Sequence, residues 1–141
     1  MNSRNWDDSM ETGDAHIDEQ HRRVLSLIDK LETAETHTHS PALTIYSMLD
    51  ELMVFTDTHF SAEERLMRRV EYPAAPMEEM LAQHEEFKDH ARMQVLEFRQ
   101  DEGVTVLPLL ADLTQWLVTH EFGLDRKLVD WIRENQPGQL T

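Results

Sequence analysis

The sequence predicts an all-α protein folded as an up-down-up-down four-helix bundle. In four long segments, apolar residues recur every three or four positions, which is the pattern of a helix with one buried face. Strand-like alternation of apolar and polar residues is absent from the sequence. The links between the segments are short, so successive helices should pack antiparallel. At 141 residues, we expect one domain over 1–141 with an N-terminal loop at 1–16.

Proline and glycine mark the boundaries of the four helices. Pro41 follows a serine and favours the first turn of the second helix. The stretch from Tyr72 to Pro76 separates the second helix from the third, because proline cannot continue a helix interior. The third helix should end near Gly103, and the fourth should start just before Pro108. The predicted helices span about 17–36, 41–70, 76–101 and 106–134.

The composition excludes several classes of function. The chain has 28 Asp and Glu residues against 13 Lys and Arg, a formal net charge of -15 at pH 7. This acidity argues against nucleic acids and anionic membranes as partners, because both require a basic protein surface. Without cysteine, disulfides, thiolate metal sites and cysteine nucleophiles are excluded. No segment has the apolar length of a signal peptide or membrane span, so we expect a cytoplasmic protein.

Each predicted helix carries one histidine on its apolar face: His21, His59, His84 and His120. A single histidine in such a position is usually a hydrogen-bonded core residue, but four of them indicate a shared site. Glu63, one turn after His59, strengthens this interpretation. A buried carboxylate must be paired or bound to metal, and no lysine or arginine lies on the inner faces.

Nitrogen and carboxylate ligands without cysteine suit iron or manganese, and zinc is possible. Glu63 and Asp125 could each bridge two metal ions through their two oxygens. Asp125 follows His120 by five residues, so on a regular helix it approaches the centre from the flank. Taken alone, Asp125 would be interpreted as a solvated acid. The candidate metal ligands are His21, His59, Glu63, His84, His120 and Asp125.

Four motifs contain these residues. Ile-Asp-Glu-Gln-His ends at His21, and His-Phe-Ser-Ala-Glu-Glu begins at His59. His-Glu-Glu-Phe begins at His84, and Trp-Leu-Val-Thr-His ends at His120, five residues before Asp125. In combination, the motifs resemble the signature of the hemerythrin family, specifically the bacterial hemerythrins.

The resemblance extends from Trp6 to about Trp131 and includes the entry loop at Thr12 and a Tyr-Pro turn at Tyr72. It implies a pair of oxo- or hydroxo-bridged non-haem iron ions inside the bundle, with O2 binding at one iron. The family pattern assigns His21 and His59 to one iron, His84 and His120 to the other, and Glu63 and Asp125 to the bridges.

Two positions depart from the family pattern. The third helix of the family carries His-x3-His, of which His84 is the second histidine, but the first position holds Met80. The family usually has an apolar residue after the histidine of the fourth helix, and here Glu121 follows His120.

Three interpretations of these departures remain open at the level of sequence. The second iron could have one ligand fewer, replaced by water or weakly by the Met80 thioether. A carboxylate could fill the gap, with Glu121 preferred over Glu79 because its neighbour His120 belongs to that metal. Alternatively, the second metal could be lost, which would leave a mononuclear site.

The functional interpretation also stays open between classes. The first hypothesis is a di-iron protein that binds O2 for storage, delivery or sensing, without a catalytic residue or organic cofactor. The second is an iron enzyme with peroxidase or oxidase chemistry at an altered centre. The third is a bundle that holds one structural metal and binds a protein partner.

Overall fold

The computed structural model describes residues 6–37, 40–100 and 105–141, and over these residues the chain is an all-α four-helix bundle, as predicted. The predicted end of the third helix at 101, its terminator Gly103 and the loop residue His39 lie outside the described residues. None of the described helices combines the length and apolar character needed to cross a bilayer. The helices are α1 (Ala15–Thr36), α2 (Ala42–Arg69), α3 (Ala74–Gln100) and α4, residues 107–135, which consists of Leu107–Trp116, a π-helical turn at Leu117–Glu121 and Phe122–Asn135.

Local hydrogen bonds determine where α1 begins and α2 ends. The Asp14 carboxylate accepts a hydrogen bond from the Ile17 N–H at 3.0 Å, which caps the first turn of α1. At the end of α2, Glu71 takes a left-handed conformation with φ 55°. The Tyr72 N–H then donates to the Met67 carbonyl oxygen at 2.9 Å, a pattern that satisfies the last turn of a helix.

The N-terminal loop is tied to α4. Nη2 of Arg133 donates to the Thr12 carbonyl oxygen at 3.1 Å. Gly13 has a φ of +100°, a conformation that favours glycine. A Cβ there would also lie 2.0 Å from Nη2 of Arg133, so the arginine would have to move. Asp18 on α1 accepts hydrogen bonds from both the N–H and the hydroxyl of Thr12, at 2.9 and 2.8 Å.

The core is divided into two apolar clusters. Each helix packs against two neighbours, in the order α1, α2, α3, α4 and back to α1. The larger cluster contains α1 residues after His21, α2 residues up to Phe60 and α3 residues after His84. The smaller cluster lies on α2 after Glu63, on α3 before His84 and on α4 after Asp125. This reversal from helix to helix is the antiparallel arrangement, and it places a polar layer between the two clusters.

Candidate metal centre

The inner faces of the four helices meet in the buried polar layer between the two apolar clusters. Five of the predicted metal ligands lie in this layer, and each is at most 6 % exposed. They are His21 of α1, His59 and Glu63 of α2, His84 of α3, and Asp125 in the second half of α4.

Their nitrogen and oxygen atoms converge on one another. Nε2 of His21 lies 2.6 Å from Oδ2 of Asp125, and Nε2 of His59 lies 3.4 Å from the same oxygen. Nε2 of His59 is also 3.1 Å from Oε1 of Glu63, which in turn lies 3.4 Å from Nε2 of His84. Asp125 and Glu63 therefore link the histidines of the layer, the arrangement expected of bridging carboxylates.

Glu121 is the sixth residue of the layer, and His120 is outside it. Glu121 is fully buried, and its Oε2 lies 3.4 Å from Nε2 of His84. His120 is exposed and packs against Trp116, with ring centroids 5.9 Å apart. The expectation that His120 faces inward is wrong, and the structure does not bring His120 to the other candidate ligands.

The π-helical turn at Leu117–Glu121 explains why Glu121 faces the layer instead of His120. Such a turn holds more residues than a turn of α-helix, so each side chain in it is rotated relative to its place on a regular helix. Leu117, Glu121 and Asp125 then follow one another on the inner face, each at most 2 % exposed, while His120 turns outward. A spacing of four residues joins Leu113, Leu117, Glu121 and Asp125 in the sequence, but His120 fits the three-four helical pattern equally well.

Many polar atoms of the layer are fully buried but have no hydrogen-bond partner among the residues that the structure describes. They include Nε2 of His59 and of His84, both carboxylate oxygens of Glu63 and of Glu121, and Oδ1 of Asp125. An unsatisfied buried polar group costs about 1–3 kcal/mol, so a cluster of them requires an occupant. Ligand atoms about 2.1 Å from a metal and at right angles lie about 3 Å apart, and the nitrogen–oxygen separations of 3.1 to 3.4 Å agree with this.

The donor atoms of the layer form two overlapping groups. One group of ligand atoms within 4.8 Å of one another comes from His21, His59 and Asp125, and a second comes from His59, Glu63, Glu121 and Asp125. The two groups overlap, as the ligands of a bridged pair would. Three carboxylates also offset most of the charge of two divalent cations, which a buried site requires.

The relationship of the chain to known proteins agrees with this centre. The hemerythrin family model, described as the hemerythrin HHE cation binding domain, matches residues 12–132. The chain belongs to the hemerythrin family.

Curated members of the hemerythrin family resemble the chain over most of its length. It is 30% identical to a bacteriohemerythrin of Stenotrophomonas maltophilia, covering 91% of this chain and 80% of that protein. It is also 30% identical to a myohemerythrin of Riftia pachyptila, covering 86% and 88% of the two chains. A hemerythrin-like protein of Naegleria gruberi is 28% identical over 87% of this chain and 88% of its own. No solved structure gives a significant match to the chain.

Met80, at the position where the family pattern has a histidine, lies in an apolar environment. It is 1 % exposed and belongs to the smaller core cluster with Met67, Tyr72 and Leu128. Methionine commonly fills such gaps, so its surroundings are those of a core side chain. Glu79, the other carboxylate considered for this position, is exposed. Of the three open interpretations, the structure therefore favours the one in which Glu121 fills the gap.

Two polar side chains that the sequence reasoning missed orient the histidines of this hemerythrin-family site. Nδ1 of His59 donates to Oε1 of Gln20 at 2.6 Å, and Nδ1 of His84 donates to a carboxylate oxygen of Glu64 at 3.0 Å. Each bond assigns Nδ1 to a partner outside the layer, so Nε2 is the nitrogen that faces the layer and binds a metal once it is deprotonated. Gln20 precedes His21 and Glu64 follows Glu63 in the sequence, but their partners lie on other helices.

Aromatic rings cover two of the three histidines of the layer. Phe122 stacks on His21 with ring centroids 4.0 Å apart, and Phe60 stacks on His84 at 4.1 Å. Both phenylalanines are at most 4 % exposed. The rings restrict the imidazole orientations and keep water away from the centre, which lowers the local dielectric around the ligands.

Before a metal binds, the surroundings of Glu63, Glu121 and His84 in the layer raise the pKa of each of these groups. Burial, together with the charges of Asp125 and Glu121, raises the pKa of Glu63 well above its ordinary value of 4.5. Burial and the Asp125 charge raise the pKa of Glu121 to about 7. Burial alone would lower the pKa of His84, but the carboxylates of Glu121 and Glu63 raise it to about 10. At neutral pH, metal binding must therefore displace protons.

We expect the affinity for a divalent metal to rise with pH. Each displaced proton raises the affinity about tenfold per pH unit. The proton on His84, whose pKa is about 10, therefore gives a slope throughout the neutral range, and the raised pKa of Glu63 adds to it. The slope should fall by about one proton as the pH passes about 7, where Glu121 loses its proton in the metal-free protein. Competition with a chelator for Zn2+, which undergoes no redox change, measures this slope. A Glu121→Gln variant should show no such fall, and an affinity independent of pH would contradict protonated Glu63 and His84 in the metal-free protein.

Proposed function

We propose that the chain is a non-haem di-iron protein that binds O2 at a centre held by His21, His59, Glu63, His84, Glu121 and Asp125. The observation that carries this proposal is the convergence of six buried donor residues, most of whose inward atoms lack hydrogen-bond partners within the described parts of the chain. Membership of the hemerythrin family supports iron as the metal and O2 as the ligand. Nitrogen and carboxylate donors without sulfur also suit iron.

The ligands divide between two ions in this proposal. His21 and His59 serve the first ion, next to Asp125, and His84 and Glu121 serve the second, next to Glu63. Glu63 lies between His59 and His84 and would bridge the two ions. Asp125 belongs to both groups of ligand atoms and would be the second bridge. Iron, when bound, supplies the electrons that O2 binding requires. The protein holds the ligands in place, orients the imidazoles through Gln20 and Glu64, and excludes water.

The role of O2 binding in this proposal is storage, delivery or sensing in the cytoplasm, without a nucleic acid or membrane partner. The net charge of -15 supports the exclusion of those two partners. Catalytic residues are not required for this role, because the change takes place at the metal.

A second candidate function rests on Glu121. This carboxylate takes the place of an imidazole in the family pattern, and the extra negative charge beside His84 stabilises a more oxidised metal. A centre that gives up electrons more easily favours peroxidase or oxidase chemistry over reversible O2 binding. A single structural metal with a protein partner is the remaining alternative, and it predicts one ion per chain.

Metal content and the response to O2 test these functions. Protein purified from iron-supplemented cells should contain about two iron ions per chain, by the count of donors. After reduction, its absorption spectrum should change on addition of O2 and return on degassing. Irreversible oxidation with peroxide turnover would support the enzyme instead. One ion per chain, or zinc alone, would contradict the di-iron proposal.

A further inference from the structure

A groove of about 230 Å3 lies between α1, α2 and the C-terminal residues, and it reaches Glu63 of the candidate metal centre. Glu63 contributes to the lining, and so does Gln20, whose amide oxygen accepts the hydrogen bond of His59. The volume is enough for several waters at about 30 Å3 each. It is smaller than the pockets of about 300–1,000 Å3 that bind drug-sized ligands. The groove therefore suits a small inorganic ligand.

The charges along this groove are positive where it meets solvent. Arg65 and Arg69, both exposed residues of α2, line it. Arg65 has no hydrogen bond or ion pair with any residue that the structure describes, and Nε of Arg69 donates to the neutral amide of Gln139 at 3.1 Å. No described carboxylate neutralises either guanidinium group, although the chain has a net charge of -15. The two groups attract anions locally.

The acidic group at the other side of the groove is already engaged. Asp14 lines the groove, but its carboxylate accepts hydrogen bonds from the N–H groups of Ile17 and Thr141, at 3.0 and 2.6 Å. These bonds lower the pKa of Asp14 against the opposing effect of burial, and they hold its charge at the start of α1. Asp14 therefore opposes the arginines less than a free carboxylate would.

We propose that this groove admits small monoanions, of the size of azide or nitrite, to the metal centre, and that Arg65 and Arg69 select them by charge. The proposal rests on the proposed function, because the anion binds a metal held beside Glu63. It assigns to Arg65 a role in ligand entry that is separate from the folding of α2, since its guanidinium group pairs with no described residue.

The test measures how fast azide reaches the oxidised, iron-loaded protein, by the change in absorption after rapid mixing at low ionic strength. Arg65→Gln should slow association at least about fivefold and Arg65→Glu further, because electrostatic focusing in a cleft changes association rates by about 10- to 1,000-fold. Arg65→Lys should restore most of the rate. Arg68→Gln is the matched control, because Arg68 is an exposed arginine of the same helix that does not line the groove; it should change the rate less than about twofold.

Two further measurements separate the possible failures. Nitric oxide is neutral and binds ferrous iron, so its association rate should be the same in the wild type and in Arg65→Gln. Equal slowing of azide and nitric oxide, or equal effects of Arg65→Gln and Arg68→Gln on azide, would overturn the charge-selective groove and leave the metal centre intact. Iron content is measured on every sample, and a wild type without iron would overturn the proposed function and the groove together.

Discussion

Replacing Glu121 with glutamine is expected to remove most of the binding of one metal ion, whereas replacing His120 with alanine leaves metal binding unchanged. Glu121 is fully buried, neither of its oxygens has a hydrogen-bond partner among the described residues, and it lies 3.4 Å from His84, whereas His120 is exposed. Loss of a carboxylate ligand should weaken binding of that ion by more than about 100-fold, beyond the 10- to 100-fold cost of losing a residue that only orients a ligand. Such a loss corresponds to about 2.7 kcal/mol.

Metal content per chain and chelator titrations measure this difference in both variants. The substitution to glutamine keeps the size of the side chain, so circular dichroism should show an intact bundle. The family pattern makes the opposite prediction, because it assigns a ligand role to the histidine at position 120. If His120→Ala loses an ion while Glu121→Gln keeps both, then the loaded protein does not have the π-helical turn at Leu117–Glu121, and the family register is correct.

The bundle and most of the polar layer could be predicted because they depend on local features. Helix faces repeat every three or four residues, so the positions of His21, His59 and His84 followed from their spacing to leucine and isoleucine. Proline and the Tyr72 turn marked the helix ends for steric reasons. That these residues bind metal remains a prediction.

The exchange of His120 for Glu121 could not be predicted from helical periodicity. On a regular helix the two residues flank the inner stripe on opposite sides, and periodicity alone does not choose between them. The π-helical turn determines which of the two residues faces inward. It is accompanied by a contact between helices, the stacking of Phe122 on His21 at 4.0 Å. Gln20 and Glu64 were missed for a similar reason. Their hydrogen bonds cross from one helix to the next and depend on how the helices are aligned along their axes.

Replacing Glu63 with glutamine should abolish the stabilisation of the protein by metal. Wild-type protein gains about 4 kcal/mol in free energy of unfolding when the metal is at 1,000 times its dissociation constant. The variant should gain almost nothing, because Glu63 lies against both His59 and His84 and its two oxygens have no hydrogen-bond partner in the part of the chain that the structure describes. A matched Glu86→Gln variant, at an exposed position of α3, should keep the full gain.

Without metal, Glu63→Gln should be more stable than the wild type at neutral pH. The pKa of Glu63 is raised well above 4.5 in the folded chain by burial and by Asp125 and Glu121, so the folded state retains a proton that the unfolded chain has lost. The contribution of Glu63 to the stability of the metal-free wild type is therefore greatest below about pH 4.5, and it falls as the pH rises toward the folded pKa. Glutamine imitates the protonated carboxyl at every pH, so metal-free Glu63→Gln should melt at a higher temperature than metal-free wild type at pH 7, and at the same temperature near pH 4. Thermal melts of both proteins, with and without Zn2+, give all the comparisons. A variant that is less stable than wild type in the metal-free state at pH 7 would show that Glu63 stabilises the bundle by itself, in contradiction to a carboxylate buried there for metal binding.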